Sequence, residues 1–393
     1  MAAFDFDKIY PRKNTGSVKY DLAPALGLPE DVLPMWVADM DFRSPECVVE
    51  AIIERAKHGI FGYSEAPKGY FEALETWYRV RHNWHVQPAW LVKASGVVYA
   101  IAQAVRALTE KGDGVLIQEP VYYPFRDVVE KNDRKPVVSE LVYKNGAYHV
   151  DFDDFERKIR DNNVRLFILC SPHNPVGRVW TKEELERMGD ICLRYGVIVA
   201  SDEIHADFVY PGYRHTVFAA IKQEFEQNSL IFTAPTKTFN LAGLHISNIF
   251  IPNPKLREKF QTETSRSGMS QLGIMGMVAC QAAYEGGGAW LDALMAYLGD
   301  NVAYMRDFLR TRLPELTLIE PEGTYLTWVD FRTLGMTVEE LEQFIKFKAC
   351  LWLDGGTMFG ESGAGFQRFN IACPRAILQD AMERLEKACR SRT

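Results

Sequence analysis

The chain of 393 residues has no run of lysine and arginine, and its formal net charge is −7. Without a concentrated basic face nothing recruits a polyanion, which argues against nucleic acid and anionic membranes as partners. It has no CxxC pair. Its seven cysteines are odd in number and widely spread, and several, such as Cys170 in LFILCSP, sit in apolar runs as small core residues. That usage argues against a disulfide framework and fits a reducing compartment. The start, MAAFDFDKIYPRK, lacks the apolar core of a secretory signal. No window approaches a membrane span, and no GxGxxG follows an early strand as a dinucleotide-binding fold requires. No internal repeat or low-complexity tract is found. The expected location is the cytoplasm.

What is present is ordinary globular material, 47% hydrophobic and 25% charged, long enough for two or three domains. Residues 1 to 43 show little periodicity and read as an arm over the body, with the apolar stretch Pro34 to Phe42 buried within it. Ser44-Pro45 is expected to open a helix, Ser44 as N-cap, that stops at Gly59. A second helix is expected from about Lys68 to His82. From Trp90 short β-rich runs alternate with helical stretches: WLVKAS, VLIQEP, LFILCSP, VIVASDE and LIFTAPT. Runs this apolar, separated by helices, predict a parallel sheet covered on both faces, hence an α/β fold. Asn145-Gly146 predicts a hairpin, and Thr181 with Glu184 a capping box. The pattern is helical from about Asn253 to Leu313. The rest reads as α+β, with strands near Leu316–Val329, Leu351–Leu353 and Phe366–Ile371 and helices at Val338–Lys348 and Arg375–Arg390.

The stretch that organises this reading is LIFTAPTKTFNLAGLH, Leu230 to His245. A short strand is broken by Pro235, which has no amide hydrogen to give to a sheet. Lys237 follows with no other charge between Leu230 and Leu244. Desolvation lowers a lysine's pKa and makes its amine nucleophilic near neutrality. Gly96, Tyr122, Asn174, Asp202 and Lys237 each follow a predicted strand, and ligands of open α/β sheets bind at that edge.

Together these residues suit pyridoxal phosphate. Lys237 could form a Schiff base with its aldehyde, and Asp202 could hold its pyridine nitrogen protonated, making the ring an electron sink. Asn174 and His205 could bond its phenolic oxygen, and Tyr122 could stack on the ring. The helix opening at Ser95-Gly96-Val97-Val98 offers free amides to a phosphate. Arg368, in GFQRFNIACP, could clamp a substrate carboxylate. Each also has a structural reading: Asp202 bonding a loop amide, His205 a core histidine, Asn174 a turn starter, Tyr122 core packing, Arg368 a strand-surface charge. His82 and His85 lack a third ligand and are read as structural, so no metal is expected.

With Asn174-Pro175-x-Gly177, Asp202-x-x-His205 and Thr236-Lys237 in that order, the chain resembles the fold-type-I pyridoxal-phosphate enzymes, the aspartate aminotransferase superfamily. PMWVADMDF, SPHNPVGRVW, SDEIHADF, TKTFNLAGL and RFNIACPR resemble its bacterial cystathionine β-lyase (cysteine-S-conjugate β-lyase) branch over almost the whole chain. The resemblance implies Lys237 as Schiff-base lysine, Asp202 as pyridinium partner, Asn174 at the phenolic oxygen, Tyr122 on the ring and Arg368 on the substrate carboxylate. It implies that Tyr63 reaches the neighbouring subunit's site in a homodimer. It also implies a large domain over 46–288 and a small one from 1–45 and 289–393. His205, Ala234 and His245 depart from the wider pattern, where tyrosine, serine and arginine are common. Fewer side chains are then left for the phosphate, and the two histidines are expected to make cofactor affinity pH-sensitive. The implied reaction is α,β-elimination of a thiolate from Cβ of a cysteine conjugate, giving pyruvate and ammonia. The rivals are an aminotransferase on the same scaffold and a chain serving chiefly as a regulatory interaction protein.

Overall fold

The strands that carry the site are fixed by burial on both sides. The computed structural model describes residues 4–269 and 271–392. Its large sheet is built from β1 (Leu91–Ala94), β2 (Gly114–Ile117), β3 (Lys135–Val138), β4 (Val164–Cys170), β5 (Ile198–Asp202), β6 (Ser229–Thr233) and β7 (Ser247–Phe250), in the order β1-β7-β6-β5-β4-β2-β3. Every residue of β2, β6 and β7 is buried. Alternate residues of β4 point into different clusters: Leu166 and Ile168 pack with Val97, Ile101 and Phe260, whereas Phe167 and Leu169 pack with Phe155, Leu185 and Met188. Helices thus cover both faces, which is why these strands read as continuous apolar runs rather than alternating ones.

One strand departs from the expected parallel arrangement. β7 runs antiparallel to both β1 and β6, and its sequence, SNIF, reads as turn-prone. Asn248 is nonetheless fully buried because its side chain is used: its Oδ1 accepts from Tyr70 Oη at 2.7 Å and its Nδ2 donates to Cys280 Sγ at 3.4 Å. The large sheet is therefore mixed, with β2 to β6 parallel.

A second, antiparallel sheet comprises β8 (Thr317–Ile319), β9 (Leu326–Asp330), β10 (Asp354–Gly355) and β11 (Phe366–Asn370), ordered β8-β9-β11-β10. The single strand expected near Leu316–Val329 is two, because Pro321 to Gly323 intervene and Thr324 takes φ +66°. Leu351–Trp352 pairs in parallel with Leu33–Pro34 of the arm. The helix expected over Val338–Lys348 ends at Gln343 and continues as a π turn, Phe344–Lys348. The helix Arg375–Arg390, the hairpin at Asn145-Gly146 and the Thr181–Glu184 capping box form as read. Ser44 does not cap the helix Glu46–His58; its Oγ donates to the Asn240 carbonyl at 3.3 Å, and Pro45 takes the N-cap position.

The arm is tied down by polar groups more than by secondary structure. Lys19, fully buried, donates to Asp41 at 2.8 Å, and Arg12 grips both Asp39 and Asp41. Asn370 Nδ2 holds the carbonyls of Val37 and Asp39 at 2.7 and 2.5 Å. Asn240 accepts from the Met40 amide at 2.9 Å and donates to the carbonyls of Met40 and Phe42 at 3.0 and 2.9 Å. The strap from Trp36 to Phe42 is thus held from two sides. Among the described residues no helix is long and apolar enough to cross a membrane.

Asn240 also sits at φ +58°, a conformation asparagine tolerates better than alanine. Asn240→Ala is expected to cost about 3 kcal/mol through backbone strain and orphaned strap groups, read as a lower denaturant midpoint. Asn240→Gly is expected to recover only the backbone share.

Candidate active site

β1, β2, β4, β5 and β6 share one direction, so Gly96, Tyr122, Asn174, Asp202 and Lys237 emerge at one edge of the sheet, as the strand reading requires. The chain after β6 makes one helical turn, Pro235–Thr238, which carries Lys237. Thr238 Oγ1 anchors that turn to Asp207 Oδ2 at 2.6 Å, and Asp207 is itself bonded by His82 and Trp77 at 2.9 and 3.1 Å. His82 therefore has a structural partner, while His85 is exposed, and no metal-binding group of three exists among the described residues.

Lys237 Nζ donates to the Ala38 carbonyl of the strap at 2.7 Å, and Tyr325 Oη donates to the same oxygen at 3.0 Å. Burial pulls the amine's pKa down to about 8, helped by the positive charge of Arg368 and opposed by Asp39 and Asp202. Asp202, the last residue of β5, is buried and accepts one bond, from the Ile204 amide at 3.1 Å. Burial pushes its carboxyl up to about 7, with the Ile204 amide and then Lys237 pulling the other way. A carboxylate left with one neutral donor in an apolar strand end suits a cationic partner, as a protonated pyridine would be.

His205 follows Asp202 in a turn rather than a helix, and its buried Nδ1 has no hydrogen-bond partner. Burial, then Lys237 and Arg368, push its pKa well below the usual histidine range. That direction favours the neutral imidazole. Asn174 Oδ1 accepts from Arg368 Nη1 at 2.9 Å, and its Nδ2 makes no hydrogen bond to the described residues. That free donor and the orphaned His205 nitrogen fit an added oxygen acceptor, as a phenolate would be. Tyr122, half-buried beside Phe125 and Tyr123, is within electrostatic reach of both Asp202 and Arg368.

Gly96 takes φ +127° and ψ 152°, open to glycine alone. Its own amide is not free, because it donates to Ser247 Oγ at 3.2 Å. The unpaired first-turn amides are those of Val97, Val98 and Tyr99, at the start of the helix Val97–Leu108, where no side chain caps them. Ala234 is buried and His245 exposed at φ +48°. Tyr63 stands apart from this cluster, 98% exposed and flanked by exposed Ile60 and Phe61.

Arg368 lies on β11, 2% exposed, with its guanidinium above the Phe359 ring. Besides Asn174, it donates to the Trp36 carbonyl at 2.9 Å and to the Asp354 carboxylate. Asp354, the strap carbonyls, Tyr325 and the Asp207–Thr238 anchor are absent from the sequence reading. Only Asp354 had a signal: like Asp202, it is a carboxylate that ends an apolar run, LWLD.

The low Lys237 pKa is testable on the protein freed of any bound aldehyde. The rate of pyridoxal phosphate capture is expected to rise with pH through a midpoint of about 8 and level off above it, because only the neutral amine attacks. Arg368→Gln is expected to move that midpoint up and Asp202→Asn down. Stopped-flow absorbance reads all three; a midpoint near the ordinary lysine value of about 10.4 would contradict the assignment.

The chain matches the family Aminotransferase class I and II over residues 30–385. It is 45% identical to cystathionine beta-lyase PatB of Bacillus subtilis (strain 168), covering 98% of this chain and 99% of PatB. Cystalysin from Treponema denticola, whose crystal structure contains a pyridoxal 5'-phosphate cofactor, superposes with a TM-score of 0.96 at 39% identity, over 99% of this chain and 100% of that one. The PLP-bound C-S lyase from Staphylococcus hominis gives a TM-score of 0.91 at 34% identity over 98% of both chains. A half-buried lysine of lowered pKa and a lone carboxylate at the edge of a mixed sheet, with a buried arginine on the antiparallel sheet beside them, thus stand in a chain that belongs to the aminotransferase class I and II family.

Proposed function

We propose that the protein is a pyridoxal-phosphate-dependent carbon–sulfur β-lyase that cleaves cystathionine or a related cysteine S-conjugate to a thiol, pyruvate and ammonia. The observation that carries the reaction type is the 45% identity to a cystathionine beta-lyase along essentially the full length of both proteins. The site's chemistry is compatible with it.

Bound there, pyridoxal phosphate supplies an electron sink for negative charge developing at the substrate Cα. Lys237 would hold its aldehyde carbon, and Asp202 would keep a proton on its pyridine nitrogen. Asn174 Nδ2 and His205 would donate to its phenolic oxygen, with Tyr122 against its ring. The amides of Val97 and Val98 would take its phosphate, with Gly96 leaving room for it and Tyr63 of the partner subunit adding a hydroxyl. Arg368 would fix the substrate carboxylate. Lys237 Nζ, its pKa lowered by burial to about 8, would take the Cα proton as general base once the substrate amine has its place. The electron pair so released would leave through Cβ with the thiolate, and water would complete the release of pyruvate and ammonia.

The working form in this reading is a cytoplasmic homodimer with shared sites. The exposed Tyr63, with Ile60 and Phe61 beside it, supports a second copy at that surface. A large domain over 46–288 and a small one from 1–45 and 289–393 are supported by the sheets. All seven strands of the mixed sheet lie between Leu91 and Phe250, and the arm pairs with Leu351–Trp352.

Lys237→Ala is expected to bind the cofactor without the visible absorbance of the lysine-linked form. Its kcat should fall by at least about 10³-fold, since both the covalent anchor and the base are lost. Wild-type turnover in that variant would refute the assignment. To separate lyase from transaminase, purified enzyme is given cystathionine with and without an added 2-oxoacid. Stoichiometric pyruvate and thiol without the oxoacid are expected; amino transfer that requires the oxoacid would favour the transaminase.

A further inference from the structure

Arg368 is buried and only partly satisfied. Its Nη1 binds Asn174, its Nη2 is divided between the Trp36 carbonyl and Asp354, and its Nε has no acceptor. An unfilled donor on a guanidinium 2% exposed leaves one hydrogen bond still to be made. A substrate carboxylate placed there would meet an arginine whose charge is already neutralised.

The neutralising group is placed by the sheet. Asp354 is directly opposite Arg368 in the antiparallel pair β10–β11, and it is 3% exposed. The neighbouring Gly355 packs against Glu342: a Cβ there would stand 2.0 Å from Glu342 Oε1. Around Asp354 lie the charges of Arg368, Glu342 and Lys346 and the phenols of Tyr122 and Tyr123. Lys346 is committed to Glu342, so Arg368 is the only cation with its charge in direct contact with Asp354 among the described residues.

We propose that Asp354 is the positioning residue of the carboxylate clamp: it holds Arg368 in the substrate-free enzyme and takes up a proton when the substrate carboxylate joins the same guanidinium. Two carboxylates on one buried cation leave an uncompensated negative charge, and protonating one of them removes it. Asp354 is predisposed to this, because burial already pushes its carboxyl up, against the pull of Arg368. The proton comes from solvent, and the protonated Asp354 keeps its place beside Arg368 as a neutral group. The proposal rests on the reading of Arg368 as the clamp.

By linkage, carboxylate affinity falls as pH rises from the free-state pKa of Asp354 towards its higher value in the complex, by up to about tenfold per pH unit. The probe is propionate, which has a carboxylate but no amine, titrated into holoenzyme and followed by visible absorbance between about pH 5 and 8. Any proton linkage at the cofactor is common to wild type and variants, so the readout is the ratio of their dissociation constants. Asp354→Asn is expected to bind propionate about tenfold or more tightly than wild type at pH 8, the advantage shrinking as pH falls. Asp354→Glu is expected to retain the wild-type pH dependence. Weaker binding by Asp354→Asn at every pH, or a ratio that does not change with pH, would overturn the proposal. Arg368→Ala separates the two readings: if it leaves propionate affinity unchanged, the clamp assignment itself fails. If it abolishes binding while Asp354→Asn behaves as wild type, only the role of Asp354 fails.

Discussion

Charge balance in a desolvated crevice is the constraint on which the rest of the site depends. An amine beside a buried guanidinium would be costly to keep charged without compensation. Lys237 stands in that relation to Arg368, and the opposing charges come from three different parts of the chain: Asp202 from β5, Asp354 from β10 and Asp39 from the strap. No single element could supply the balance. The mixed sheet, the antiparallel sheet and the N-terminal arm have to be assembled before the lysine acquires its lowered pKa.

The arm is part of the site for this reason and not mere cover. Trp36 and Ala38 offer carbonyls to Arg368 and Lys237, so backbone dipoles complete what side-chain charge leaves open. Their positions follow from the Arg12–Asp39 and Lys19–Asp41 pairs and from the two asparagines, Asn240 and Asn370, that hold the strap from either end. Asn240 follows Lys237 by three residues and Asn370 follows Arg368 by two. The segments that carry the two cationic groups therefore also carry their own attachment to the strap.

How much of this could be read beforehand depended on the range of the interaction. Lys237, Asp202 and Asn174 were legible because each breaks the local pattern, a polar group after an apolar run, and Arg368 because it is a lone charge inside one, GFQRFNIACP. The α/β architecture was legible because strands buried on both faces lose their alternation. β7 was not: Asn248 is a turn residue by local preference, and only the distant Tyr70 and Cys280 make it a strand residue. The pairing of Asp354 with Arg368 needed the register of β10 on β11, and the carbonyls of the strap have no side-chain signature at all. Gly96 illustrates a finer limit. Its position before a helix was readable, yet the engagement of its amide by Ser247, on a strand that the sequence hides, was not.

The antiparallel β7 has a mechanical consequence. β6 and β7 are hydrogen-bonded neighbours, with Thr233 opposite Asn248, so the segment bearing Lys237 is the connection between two central strands and is stapled at both ends. Its backbone has nowhere to travel. A group that must release one bond, act on a neighbouring atom and return can then move only by rotating about its own side-chain torsions. A lysine's four methylene groups supply that reach, so the rigid connection turns the cycle of attachment and release into a swing of one side chain about a fixed pivot.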